Sequence, residues 1–356
     1  MPIETWLPFV WAVIIALAVF FYVCMDGFDL GLGILFPFIR EKPERDVMVN
    51  SVAPVWDGNE TWLVMGGGGL LAVFPLAYAI ILPALYAPMI GMLLALIFRG
   101  VSFEMRFKAD NAAQQRWWDR AFSWGSYGAA ICQGLALGAI VQGITVTGRA
   151  YGGGWWDWLT PFTLFTAFSL TVGYALLGAC WLVWKTEGAL EHRARDLARA
   201  LGALMLVLIA LLSLSMPFLQ PAFRARWFDF PLILLALPVP VLMALLAWRF
   251  FRALRETEAR EALAAADPTG RVFRWRDGTA FACVLGWFFL CYTGLGISLW
   301  PNIVPPSVSI WDAAAPPASQ LFVLVGAAVL LPVILAYTAY TYWIFRGKVR
   351  QGEGYH

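Results

Sequence analysis

The chain has 356 residues, of which 61% are hydrophobic and 13% charged, about half the charged share of an ordinary soluble domain (roughly 25%). That balance excludes a soluble globular protein and identifies a chain solvated by lipid. The formal net charge is only +2, and no nucleic acid is expected among its partners.

Between Glu4 and Arg40 lie 35 residues whose only charges are Asp26 and Asp29. This exceeds the roughly 18 apolar residues that suggest a spanning helix. No basic residue precedes it and no small-residue cleavage pattern follows, so it does not read as a cleavable signal. Apolar runs between charged or proline-rich breaks predict nine transmembrane helices near 7–38, 60–76, 79–98, 121–144, 161–184, 200–219, 229–250, 278–300 and 320–345. The junction of the second and third, FPLAYAIILP, carries only Pro75 and Pro83 as breaks, which predicts a tight turn or a re-entrant bend. After the seventh, FRALRETEAREALAAADPTG is helix-prone until Asp267-Pro268 stops it and extends that helix beyond the membrane. The loop PNIVPPSVSIWDAAAPPASQ has five prolines and is expected to be extended and partly ordered against the membrane surface. The fold class is therefore an all-α polytopic membrane protein. Eight helices and a ninth predict two four-helix bundles plus a peripheral helix, in a single integral membrane domain.

Charge placement gives an independent check, because cytoplasmic segments hold the excess of Lys and Arg. Of the 25 basic residues, one set of alternate segments holds 22 and the other, which includes the N-terminus, holds 3. A missed span would scramble that alternation, so the N-terminus is expected outside and the C-terminus in the cytoplasm. The 19 tryptophans cluster near span ends, as interfacial belts do. Trp-Asp recurs at irregular spacing, which excludes a propeller repeat. The five cysteines lie in apolar stretches without a close pair and read as buried packing residues. The two histidines, His192 and His356, both fall outside the predicted spans, so no haem is expected between intramembrane histidines of this chain, and no metal site is expected.

Asp26 and Asp29 are three apart and share one helix face, which Gly33 continues, while Gly27 and Gly31 form a GxxxG on the adjoining face that admits a second helix. From a start near Leu7, Asp26 lies about 28 Å along the helix, near the inner boundary of a roughly 30 Å hydrocarbon core. The pair is either an interfacial structure, capped by backbone or by the Arg40–Arg45 loop, or a site that takes up protons or cations. NSVAPVWDGNETWLVMGGGG begins the second helix from the same side and brings Asp57 and Glu60 to a similar depth. Close carboxylates in a low dielectric cannot all ionise, so at least one holds a proton reversibly. Gly66–Gly69 either allow close packing or mark an irregular turn. FRGVSFEMRFK places Arg99, Glu104, Arg106 and Lys108 on that side too. Arg99 would neutralise one acid and Glu104 would collect protons, unless the group is only a positively charged anchor.

MDGFDLG at 25–31, NSVAPVWDGNETWL at 50–63, FRGVSFEMR at 98–106, IWDAAAPPASQL at 310–321 and LPVILAYTAYTYW at 331–343 resemble subunit II of the cytochrome bd-type quinol oxidase, in the style of the cyanide-insensitive branch. The resemblance runs from the first helix to the last. It implies a terminal oxidase of the bacterial cytoplasmic (inner) membrane that oxidises quinol and reduces oxygen to water with protons from the cytoplasm. Two b-type haems, one d-type haem and the quinol site are then expected in a partner subunit I, with lipids, quinone and a small single-helix accessory subunit as further associates. By the same resemblance the proton path falls on Asp57, with Asp26, Asp29 and Glu60 beside it and Trp56, Asn59 and Arg99 supporting. Trp62 falls where the family's oxygen entrance passes, and Glu104 matches an acidic position in kind only. No residue of this chain is expected to bind a cofactor. The residues alone also admit a proton-coupled secondary transporter or a purely structural assembly subunit.

Overall fold

A computed structural model describes residues 3–230, 233–234, 237–266, 278–350 and 352. Its helices are α1 (Ile3–Leu35), continued by a 3-10 turn at Phe36–Phe38, α2 (Lys42–Asn50), α3 (Trp56–Val73), α4 (Pro75–Ala84), α5 (Tyr86–Phe107) and α6 (Ala112–Gln142). There follow α7 (Pro161–Lys185), α8 (Ala189–Leu219), α9 (Pro221–Phe228), Pro238–Ala266, Thr279–Leu299 and the last helix, Pro317–Ile344. Prolines stand in the first turn of several of these, where their missing N–H costs no hydrogen bond. Asn111 caps α6, and Thr160 closes a capping box on α7.

Seven of the described helices are long and apolar enough to cross a membrane: Ile3–Phe38, Tyr86–Phe107, Ala112–Gln142, Pro161–Lys185, Ala189–Leu219, Thr279–Leu299 and Pro317–Ile344. The predicted span 60–76 corresponds to α3, which its acids and glycines make less apolar. Asn59 of α3 sits beside Asp29, Gly66 over Val19 and Gly69 over Ile15, so α3 runs antiparallel along α1. Its end at Val73 shares a core with Leu7 and Trp11, and it therefore traverses the same depth. The predicted span 229–250 lies partly outside the described residues, and the helix from Pro238 is described as far as Ala266; the stop expected at Asp267-Pro268 falls outside the described residues. Residues 267–277, the rest of that loop, lie outside the described residues.

Two expectations are corrected. The helix predicted at 79–98 starts only at Tyr86, because Pro75 and Pro83 set off a separate short helix, α4, that ends in a bend at Leu85 (φ −119°, ψ 19°). The loop 301–319 is more regular than an extended strap. Asn302–Val304 and Val308–Ser309 pair as an antiparallel hairpin, followed by a single helical turn at Ile310–Ala313. Together α4, this hairpin and Ile144 bury a core with Leu7 and Trp11. Here the IWDAAAPPASQ segment joins three helices. Trp311 Nε1 donates to the Thr5 carbonyl, Ala315 N–H to that of Val73, and Trp11 Nε1 to that of Gln320.

The opposite end is held by ion pairs. Arg106 bridges Asp46 and Asp119, each at 2.7 Å, and Arg45 reaches Asp119 at 3.0 Å. Arg193 pairs with Glu44 at 2.7 Å, Arg199 with Glu258, and Lys348 with Glu191 at 3.4 Å. Basic segments far apart in sequence are thus gathered at one end, as their alternation implies.

Helices α1, α3, α5 and α6 pack as one group, and α7, α8, Pro238–Ala266 and Thr279–Leu299 as a second. The two groups meet where α7 lies on α1 and α6, and the last helix lies outside against α1 and α3. The central crossing depends on missing side chains. A Cβ on Gly31 would fall 1.9 Å from the Tyr174 carbonyl oxygen, and one on Gly178 would fall 2.6 Å from the Gly31 carbonyl carbon. Backbone blocks both positions, so Gly31→Val is expected to destabilise the detergent-purified protein by roughly 3 kcal/mol or to prevent its recovery. Gly326→Ala, whose added methyl meets no other element within 4 Å among the described residues, is expected to leave the melting temperature unchanged or slightly raised.

Candidate functional site

Near the basic end of the first helix group, α1, α3 and α5 converge on a buried cluster of charges. Asp26, Asp29 and Arg99 are each 0% exposed, which lipid tolerates only when the charges face protein and one another. Helical spacing turns both aspartates of α1 to one side, and Gly27 and Gly31, on the adjoining side, let Tyr174 of α7 press close and seal them from lipid. Arg99 Nη2 lies 2.8 Å from Asp26 Oδ1 and 3.6 Å from Asp29 Oδ2, and its Nη1 lies 3.4 Å from Glu60 Oε2. One guanidinium therefore serves three carboxylates. Its other side packs over Trp56 and Phe103, 5.6 and 5.3 Å from their ring centres, and these two rings stack at 5.0 Å. Cation–π contact on one side and carboxylates on the other fix the guanidinium plane.

Two hydrogen-bonded branches leave the cluster. Asn59 Nδ2 donates to Asp29 Oδ2 at 2.8 Å, and Asn59 Oδ1 accepts from the Tyr342 hydroxyl at 2.8 Å. On the other branch Tyr22 adjoins Asp26, Gln133 Nε2 donates to the Tyr22 oxygen at 2.7 Å, and the Tyr174 hydroxyl donates to Gln133 Oε1 at 2.6 Å. Asp29 Oδ1 is buried without a hydrogen-bond partner among the described residues.

Asp26, Asp29, Trp56, Asn59, Glu60 and Arg99 thus meet in one place. The alternative pairing with the Arg40–Arg45 loop is not formed, since Arg45 is engaged by Asp119 and by the Ile39 carbonyl. Asp57 stands on the outward, exposed face of α3, one position from Trp56 and three from Glu60. Glu60 is 28% exposed while touching Arg99, so it links the exposed face to the buried pair. Trp62 is buried against Ala18 and Tyr22, with its ring 4.8 Å from Phe21, and its Nε1 has no partner among the described residues. Glu104 is not part of the cluster: it is exposed and paired with Lys108 one turn on, at 3.3 Å.

Tyr22, Gln133, Tyr174 and Tyr342 are site residues that the sequence reading missed. Gln133 was legible as a lone amide in an apolar run, whereas the tyrosines are indistinguishable by type from interfacial aromatics.

The family model for cytochrome bd terminal oxidase subunit II matches residues 7–345. The chain belongs to this family. It is 30% identical to cytochrome bd-I ubiquinol oxidase subunit 2 of Escherichia coli (strain K12), over 98% of this chain and 96% of that protein. It is 26% identical to cytochrome bd ubiquinol oxidase subunit 2 of Bacillus subtilis (strain 168), over 96% and 97%. Among solved structures, a chain of bd oxidase from Geobacillus thermodenitrificans has the same fold, with a TM-score of 0.63 at 16% identity, over 95% of this chain and 98% of that one. Family membership makes the chain a membrane subunit of an oxidoreductase complex, built with a second subunit.

Removing Arg99 would leave two fully buried carboxylates with no counter-charge. Arg99→Leu is expected to cost about 3–5 kcal/mol of stability, read as a lower melting temperature of the purified complex. Adding Asp26→Asn to that variant is expected to restore part of the loss.

Proposed function

We propose that this chain serves a haem-bearing partner subunit of a quinol:oxygen oxidoreductase by conducting protons inward from the basic, cytoplasmic end and by lining part of the oxygen route. The observation that carries the proton reading is the graded exposure of three acids around a single guanidinium and a fourth one turn of helix from them. Asp57 lies on the open face, Glu60 is half-buried, and Asp26 and Asp29 are sealed. With one cation for three carboxylates in a low dielectric, a proton has a resting place among them. Protons arriving at Asp57 pass to Glu60 and then to the Asp26–Asp29 pair, with Arg99 holding the cluster together in either charge state. Asp57 is also exposed at a depth where lipid is unfavourable for a carboxylate, which supports docking of the partner subunit on the outward face of α3. A Cβ added at Gly67 or Gly68 of that helix would meet no other element within 4 Å among the described residues, and small residues suit a close helix–helix contact.

The haems belong to the partner in this reading. The only described histidine, His192, is exposed at the start of α8 with its Nδ1 2.7 Å from the Gly188 carbonyl oxygen. No haem ligand pair is available from membrane histidines of this chain, and its residues act by moving protons and admitting a small apolar gas. For the latter, Trp62 offers an apolar wall between α1, α3 and Leu331 of the last helix. The set of 22 basic residues on alternate segments supports a bacterial cytoplasmic-membrane orientation with the N-terminus outside.

Asp57→Asn is expected to lower quinol oxidase turnover about tenfold or more while the haem content of the purified complex stays normal, as for loss of a positioned proton carrier. Unchanged turnover in an assembled complex would remove Asp57 from the main path. Trp62→Ala is expected to change the apparent oxygen affinity or the carbon monoxide rebinding rate, and identical kinetics would exclude Trp62 from the gas route.

A further inference from the structure

The last helix makes little contact with the rest of the chain. Gln320 is its only buried residue, and Phe322, Val325, Val329, Val333, Tyr337 and Tyr340 are all exposed. Yet near its basic end it sends the Tyr342 hydroxyl to Asn59, a residue 1% exposed and 283 positions away. That end is fixed in place. The buried Lys185 donates to the carbonyls of Phe345 and Gly347, Val349 N–H donates to the Lys185 carbonyl at 2.8 Å, and Lys348 Nζ donates to that of Thr186 at 2.9 Å. Trp181 sets its ring edge-on to Tyr342 at 6.3 Å. A helix exposed along most of its length is thus latched so as to aim one hydroxyl at the charge cluster.

We infer that Tyr342 is a positioning residue for the proton site, acting through Asn59 to serve Asp29 in both of its charge states. This rests on the proton-uptake reading above and adds to it a residue from the far end of the chain. The argument is one of donors and acceptors. Asp29 is faced by Arg99 from α5, by Asp26 from α1 and by Glu60 and Asn59 from α3. While Asp29 is ionised it can only accept, so the Asn59 carboxamide must present Nδ2, as it does at 2.8 Å. That leaves Asn59 Oδ1 buried on the other side, and the Tyr342 hydroxyl satisfies it. When Asp29 takes a proton its new O–H needs an acceptor. A half-turn of the Asn59 carboxamide supplies Oδ1 to that O–H and directs Nδ2 to the Tyr342 oxygen, which can also accept. A tyrosine hydroxyl, donor and acceptor on one atom, fits both arrangements. A phenylalanine fits neither, and leaves a buried amide group unpaired in each.

The test is infrared difference spectroscopy and turnover on the intact purified oxidase complex carrying Tyr342→Phe. Asp29→Asn assigns the carboxyl band of Asp29, and Tyr340→Phe, an exposed tyrosine half a turn away, is the control for the helix. The expected result is that Tyr342→Phe moves the Asp29 band and the pH at which it appears, and lowers turnover roughly fivefold, about the worth of one net hydrogen bond, with haem content intact. Tyr340→Phe should change none of these. A band position, pH profile and turnover in Tyr342→Phe that coincide with the unmodified enzyme would overturn the assignment, and so would the absence of any band lost in Asp29→Asn. If Asp29→Asn turns over at the full rate, the proton-uptake reading fails. A band shift in Tyr342→Phe would still stand, because it is read on the carboxyl group itself.

Discussion

The contact on which the first helix group depends is the fully buried Arg99 guanidinium between Asp26 and Asp29. Ions of this size cannot be withdrawn from water at tolerable cost unless they are matched in charge and in hydrogen bonds, and here the matching requires three helices at once. Asp26 and Asp29 come from α1, Glu60 and Asn59 from α3, and Arg99 from α5. The crossing of these helices is therefore set by polar geometry rather than by shape alone, since apolar side chains slide against one another in lipid with little preference. The Trp56–Phe103 stack behind the guanidinium completes a box in which the cation has one orientation.

Around that box the packing relies on absent side chains. Gly31 and Gly178 touch backbone to backbone where the two helix groups meet, and Gly134 brings α6 onto the Ala167 backbone of α7 in the same way. Close approach excludes lipid from the flank of the acid cluster, so the low dielectric that strengthens the Arg99 contacts is a consequence of the glycines. At the opposite end of the bundle, ordering comes from indole and amide groups that reach backbone carbonyls, such as Trp11 to Gln320 and Trp311 to Thr5.

Much of this was readable from the chain itself, for physical reasons that differ by element. The long spans are legible because lipid imposes length and apolarity together, and the gathering of basic segments at one end because Lys and Arg are sparse in the alternate segments. The pairing of MDGFD with WDGNE is legible because intramembrane acids demand company. What hid the rest was ambiguity of residue type. Pro75 and Pro83 are equally compatible with a turn, a bend or the separate short helix they form. Arg99 and Glu104 sit five apart in one charged motif, in which each could belong to the acid cluster or to a positively charged anchor. Only packing shows that Arg99 is buried against Asp26 while Glu104 is exposed and paired with Lys108. Tyr342 was invisible for the converse reason, since AYTAYTYW reads as an interfacial aromatic run and nothing local marks one hydroxyl as pointing inward.

The Tyr342–Asn59 contact joins the last helix to the beginning of α3, and this has a consequence for the order in which the molecule is made. Asp26 and Asp29 enter the membrane with the first helix, their counter-ion follows on α5, and the hydroxyl that completes the Asn59 site is translated long after both. A chain halted between Arg99 and Tyr342 therefore holds the charges of the cluster but lacks its final donor. The finished site thus requires that the last helix arrive with its C-terminal end on the side where α3 begins.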